Sequence, residues 1–111
     1  PGGDTTKQLY NENGQIIYDE WTNKVFYFEY NEEGQIVKDI SIDKRRNSSV
    51  VSNSTYDADG NLTMKYRKFD SGRVTVKKYT YKNGYLIRYF QTNGKSITER
   101  YYEYDYPGMD L

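Results

Sequence analysis

The residues with the most chemical potential in this chain are notable first for which types are missing. Among 111 residues there is no His and no Cys. That removes the near-neutral proton shuttle, the thiol nucleophile, disulfides and cysteine-based metal sites. Carboxylates remain for acid–base work. Asp19-Glu20 and Glu32-Glu33 are consecutive, so on a strand they point to opposite faces and in a turn both meet water. A glycosidase-type pair drawn from distant strands would need a pocket, which nothing in the spacing indicates. Asp57-Ala58-Asp59-Gly60-Asn61 resembles the start of a calcium loop. Such a site needs about six to eight oxygens including a later bidentate carboxylate, and no acid follows before Asp70. The expectation is a protein that is no enzyme and carries no metal or cofactor.

Recognition chemistry has more to offer. Residues 1–43 hold nine acids and three bases, residues 44–100 hold thirteen bases and four acids, and the net charge is zero. Cations interleaved with aromatics suit an acidic polysaccharide or a single-stranded nucleic acid. Lys65, Arg67, Lys78 and Arg100 are the candidate cations, and Trp21, Tyr27, Tyr89 and Tyr102 the candidate stacking aromatics. The competing reading is plain: charges keep a sheet face soluble or the two halves meet each other, and aromatics pack against a second layer or subunit.

The elements that position these residues follow from a repeat. Tyr10-Asn11-Glu12-Asn13-Gly14-Gln15-Ile16 is echoed by Tyr30–Ile36 and by Tyr56-Asp57-Ala58-Asp59-Gly60-Asn61-Leu62. Tyr81-Lys82-Asn83-Gly84-Tyr85-Leu86 is a shortened copy, and Tyr104 begins a frayed fifth. Asn or Asp, two polar residues and Gly suit a type I turn closed by a Gly at positive φ, the three-residue hairpin loop with a G1 bulge. Each motif then pairs a Tyr with an Ile or Leu across two antiparallel strands, and that register predicts Tyr10 opposite Ile16, Tyr30 opposite Ile36, Tyr56 opposite Leu62 and Tyr81 opposite Leu86. Ser71-Gly72 and Asn93-Gly94 read as two-residue loops and Thr22-Asn23-Lys24 as a three-residue one.

The chain therefore reads as all-β, an antiparallel meander of about ten strands linked by tight hairpins and curled or folded into one repeat-type sheet. The expected strands are 5–10, 15–21, 25–30, 35–43, 50–56, 61–69, 73–81, 85–91 and 95–106, the last bent into two. Leu, Ile, Val and Phe total 21 residues, so the fourteen Tyr must carry much of the burial. Propagating the turn registers collects Tyr10, Ile16, Tyr18, Phe26, Phe28, Tyr30, Ile36, Ile40, Ile42 and later Met64, Tyr66, Phe90 and Tyr101 on one face, taken as the core. The eight candidate binding residues fall on the other. Arg88 is expected opposite Glu99. No apolar run approaches the ~18 residues of a membrane span.

The motifs Tyr10–Ile16, Tyr30–Ile36 and Tyr56–Leu62 resemble the YD repeat of bacterial Rhs-like surface proteins. Only Tyr56-Asp57 carries the dipeptide itself; Asn stands for Asp in the first two copies. The resemblance spans residues 5–106, leaving 1–4 as a disordered or linker start and 107–111 as a tail. It implies an exported, non-catalytic module of the bacterial envelope, a lipoprotein with its signal removed being one form. Implied partners are a glycan, another surface protein or a second copy, with nucleic acid last.

Overall fold

Turn chemistry builds the sheet. In the computed structural model, which describes residues 5–104, the Asn11 amide donates to the Gln15 carbonyl at 2.9 Å and the Gly14 amide to the Asn11 carbonyl at 3.0 Å. Asn11 Oδ1 accepts from the backbone amides of Asn13 and Gln15. The same four bonds recur around Asn31 and around Asp57. Gly14, Gly34 and Gly60 take φ of 79°, 83° and 88°, a region where a side chain clashes with its own backbone. Between these reversals, runs rich in Val, Ile, Tyr and Phe extend.

The result is nine strands: β1 (Thr5–Tyr10), β2 (Ile16–Trp21), β3 (Lys24–Tyr30), β4 (Ile36–Asp43), β5 (Ser48–Tyr56), β6 (Leu62–Phe69), β7 (Val74–Lys82), β8 (Tyr85–Thr92) and β9 (Ile97–Tyr101). They form one antiparallel sheet in sequence order, each pairing only with its chain neighbours, and the sheet does not close into a barrel. The all-β meander is as the sequence predicts. The expected linker 1–4, the tail 107–111 and the last part of strand 95–106 lie outside the described residues.

The predicted motif pairs are all present: Tyr10 opposite Ile16, Tyr30 opposite Ile36, Tyr56 opposite Leu62, Tyr81 opposite Leu86. One residue further, the register slips. Leu9 faces Tyr18, Glu29 faces Lys38, Thr55 faces Met64 and Thr80 faces Arg88, so Ile17, Val37, Thr63 and Ile87 are extra residues on their strands. Each is a β-bulge, and a one-residue slip exchanges the faces of everything beyond it. Three other turns differ from expectation. Glu20 pairs with Val25, which leaves Thr22-Asn23 as a two-residue loop. Phe69 and Arg73 close a three-residue loop, Asp70-Ser71-Gly72, by the motif's own bond pattern. Thr92 pairs with Ile97, so the reversal falls on Gly94-Lys95.

These slips correct the face assignment. The front face holds Ile16, Trp21, Phe26, Phe28, Tyr30, Ser52, Ser54, Arg67, Tyr79, Tyr81 and Tyr89. The back face holds Tyr18, Val25, Tyr27, Ile40, Ile42, Val51, Met64, Tyr66, Val76, Phe90 and Tyr101. Both faces are rich in apolar side chains, so neither alone is a core. Among the described residues only Val25, Ser52 and Ser54 are buried, and no side chain is completely covered. The radius of gyration is 17.5 Å, against about 13 Å for a compact chain of this length. A single layer explains the difference, because a sheet with no second layer leaves both faces half in water.

Candidate functional site

The bulges determine which hydroxyls and carbonyls meet. A bulge interrupts the ladder at the motif's aliphatic residue, and there a Tyr hydroxyl takes over. Tyr30 donates to the Ile16 carbonyl at 2.7 Å, Tyr56 to Ile36 at 2.7 Å, Tyr81 to Leu62 at 2.9 Å and Tyr104 to Leu86 at 2.7 Å. Each motif Tyr thus ties its hairpin to the one before. Tyr10 instead donates to Gln8 on its own strand, and it is 55% exposed. Gln35 reinforces the same edge, donating to the Gly60 carbonyl at 3.1 Å. Sequence reasoning missed this tyrosine ladder; its only trace was one Tyr per repeat at a fixed offset from the turn.

Charge is sorted along the front face. Asp19, Asp39 and Asp43 lie on β2 and β4, with Lys24 of β3 among them; Lys65, Arg67, Lys77 and Arg100 lie on β6, β7 and β9 with no acid between them. Lys65 stands directly across from Lys77 and Arg100 across from Tyr89. Tyr79 packs on Tyr89 with ring centroids 5.2 Å apart. Burial, then the neighbouring Tyr89 and Tyr81, push the Tyr79 hydroxyl above its ordinary range, while the Arg67 charge pulls it back. Tyr89 in turn donates to Gln91. None of these four cations forms an ion pair with a described residue, and neither does Asp39.

The back face carries three ion pairs among the described residues, besides Lys68 and Lys78. Lys38 meets Glu29 at 3.9 Å, Lys44 meets Glu20 at 3.6 Å, and Arg88 meets Glu99 at 2.9 Å. Arg88 lies opposite Tyr101 and reaches Glu99 diagonally, correcting the expected direct pair. Glu20 sits below the usual carboxylate range because the Tyr18 hydroxyl donates to it, with Lys44 adding to the effect.

The candidate binding residues are therefore divided. Lys65, Arg67, Arg100 and Tyr89 share the basic end of the front face. Trp21 shares that face but stands on β2, six strands from Tyr89, or about 29 Å across the sheet; its indole N–H is buried with no hydrogen-bond partner among the described residues. Tyr27 and Lys78 are on the back, where Tyr27 packs edge-on against Tyr18 and Lys78 lies 6.0 Å from the Phe90 ring. Tyr102 follows β9, its amide donating to the Ile87 carbonyl. Lys77 and Tyr79 join the cluster without having been singled out, because the three-residue loop Asp70-Ser71-Gly72 sets Lys77, and not Lys78, across from Lys65. A hollow of about 580 Å³ lies between the turns at 31–35 and 56–60. Its Asp57 carboxylate is already spent on the amides of Asp59 and Asn61. Compared with known proteins, the chain matches no family model and no curated sequence.

Proposed function

We propose that the chain is a non-catalytic surface-structural module that works through its sheet, joining another protein surface rather than enclosing a substrate. One observation carries this reading: nine strands leave apolar side chains half in water on both faces and, among the described residues, none is completely covered, and such area favours being covered. Side chains that elsewhere do chemistry are engaged here as framework, the motif Asn and Asp in turns and the motif Tyr on carbonyls. The resemblance to YD-repeat proteins supports an exported setting at the bacterial surface. Sedimentation velocity across a concentration series tests the reading. Reversible association is expected, and a monomer at every concentration would overturn it.

A second reading is favoured by the cations around Tyr79 and Tyr89, which form no ion pair among the described residues: this end of the sheet binds an acidic polysaccharide. An array of sulfated and uronic glycans at low salt tests it, and signal no higher than background removes it.

A further inference from the structure

We infer that the surface covering the front face is the front face of a second copy, in a two-fold dimer whose axis runs along β5. The inference rests on the assembly reading above and names its partner.

Three observations converge. The front face is acidic on one side of β5, where Asp19, Asp39 and Asp43 surround Lys24, and basic on the other, where Lys65, Arg67, Lys77 and Arg100 stand. Complementary potentials select partners and orient them. A two-fold axis along β5 lays β4 of one copy over β6 of the other, so one chain supplies both halves of the match. The second observation is positional. Ser52 of β5 lies between Asp39 of β4 and Arg67 of β6, one on each side in the same cross-strand row. With the axis at Ser52, Asp39 of each copy comes to stand over Arg67 of the other. Asp39 and Arg67 each lack an ion pair among the described residues. Ser52 and Ser54 are already buried within one chain, so the flanking side chains of β4 and β6 make the contact across the about 10 Å between stacked sheets.

The third observation is size. The five central strands β3 to β7 have 7 to 9 residues each. At about 4.8 Å between strands and about 3.3 Å per residue they present roughly 600 Å² per copy. That is the low end of specific interfaces and suits a reversible dimer. Beyond β3 and β7 the sheet twist carries the strands apart.

Charge reversal tests this. Asp39→Lys and Arg67→Glu each place like charges over one another twice, and each should weaken association at least about 30-fold in sedimentation. Mixing the two variants regenerates both opposite-charge contacts and should recover association to within about threefold of wild type. Association that survives both single substitutions, or a mixture that stays monomeric, overturns the dimer while the assembly reading stands. A wild-type chain that is monomeric throughout overturns both. A monomer that binds a sulfated polysaccharide and loses it on Arg67→Glu replaces the dimer with the polyanion reading. Should Asp39→Lys fail to fold, salt decides on wild type: roughly tenfold weaker association between about 50 and 500 mM is expected, and insensitivity to salt overturns the inference.

Discussion

The two turn-bearing edges of the sheet are built differently. Along one edge the motif turns repeat, and one device, a Tyr hydroxyl on the previous hairpin's bulge carbonyl, is used four times. Along the other, every link is individual. The Lys44 amide donates to the Asn23 carbonyl, Glu20 pairs with Lys44, and Asp70 and Ser49 exchange bonds through backbone and carboxylate. A sheet without a second layer draws little stability from burial, so polar ties between successive hairpins carry more of the order than in a sandwich.

Substitutions at equivalent turns sharpen this contrast. Gly34 and Gly72 have φ of 83° and 91°, so Ala costs about 1 kcal/mol of backbone strain at either site. At Gly34 the new Cβ would also stand 3.2 Å from Gln15 Nε2, whereas at Gly72 nothing lies within 4 Å. Gly34→Ala is expected to destabilise by about 2 kcal/mol and Gly72→Ala by about 1, measured by urea unfolding. Equal losses would mean that the turns on the repeating edge do not touch one another in any way that matters.

Within the repeating edge, Tyr56→Phe strands the Ile36 carbonyl and should cost about 1–2 kcal/mol. Tyr10→Phe removes only an exposed bond to Gln8 and should cost less than about 0.5 kcal/mol. If the two substitutions prove equivalent, the ladder contributes nothing beyond a surface hydrogen bond.

The smallest effects come from pH, and in acid they divide by edge. Glu20 titrates below its ordinary 4.5, so its contribution is complete above that value and is lost as pH falls through the lowered one. Tyr81 is raised above 10.0, mainly by burial. Its contribution is complete below 10.0 and is lost as pH rises through the raised value. In acid, hydrogen exchange should therefore loosen near Lys44 before Leu62; in alkali Leu62 loosens along with the Tyr18–Glu20 contact, whose phenol is also raised by its bond to Glu20. Opening near Leu62 first in acid would end the distinction between the edges.

Much of this was legible beforehand. Tyr10 opposite Ile16 and its three counterparts follow from turn length alone, because Asn or Asp and Gly leave the backbone one way to reverse. The faces beyond the turn were not legible. Ile17, Val37, Thr63 and Ile87 differ in kind and sit in otherwise regular strands, so no residue type announces the bulge. Two slips also cancelled: the bulge at Ile17 and the shorter Thr22-Asn23 loop each shift register by one. Phe26 and Phe28 therefore still share a face with Ile16, while Tyr18 does not.

By itself the sequence determined what is local: where the chain reverses, which Tyr meets which aliphatic residue, and that strands follow one another in order. Tertiary structure alone decided which charges share a surface and which hydroxyl finds which carbonyl. Those depend on the running count of residues across every bulge and loop, and a single extra residue inverts that count for the rest of the strand.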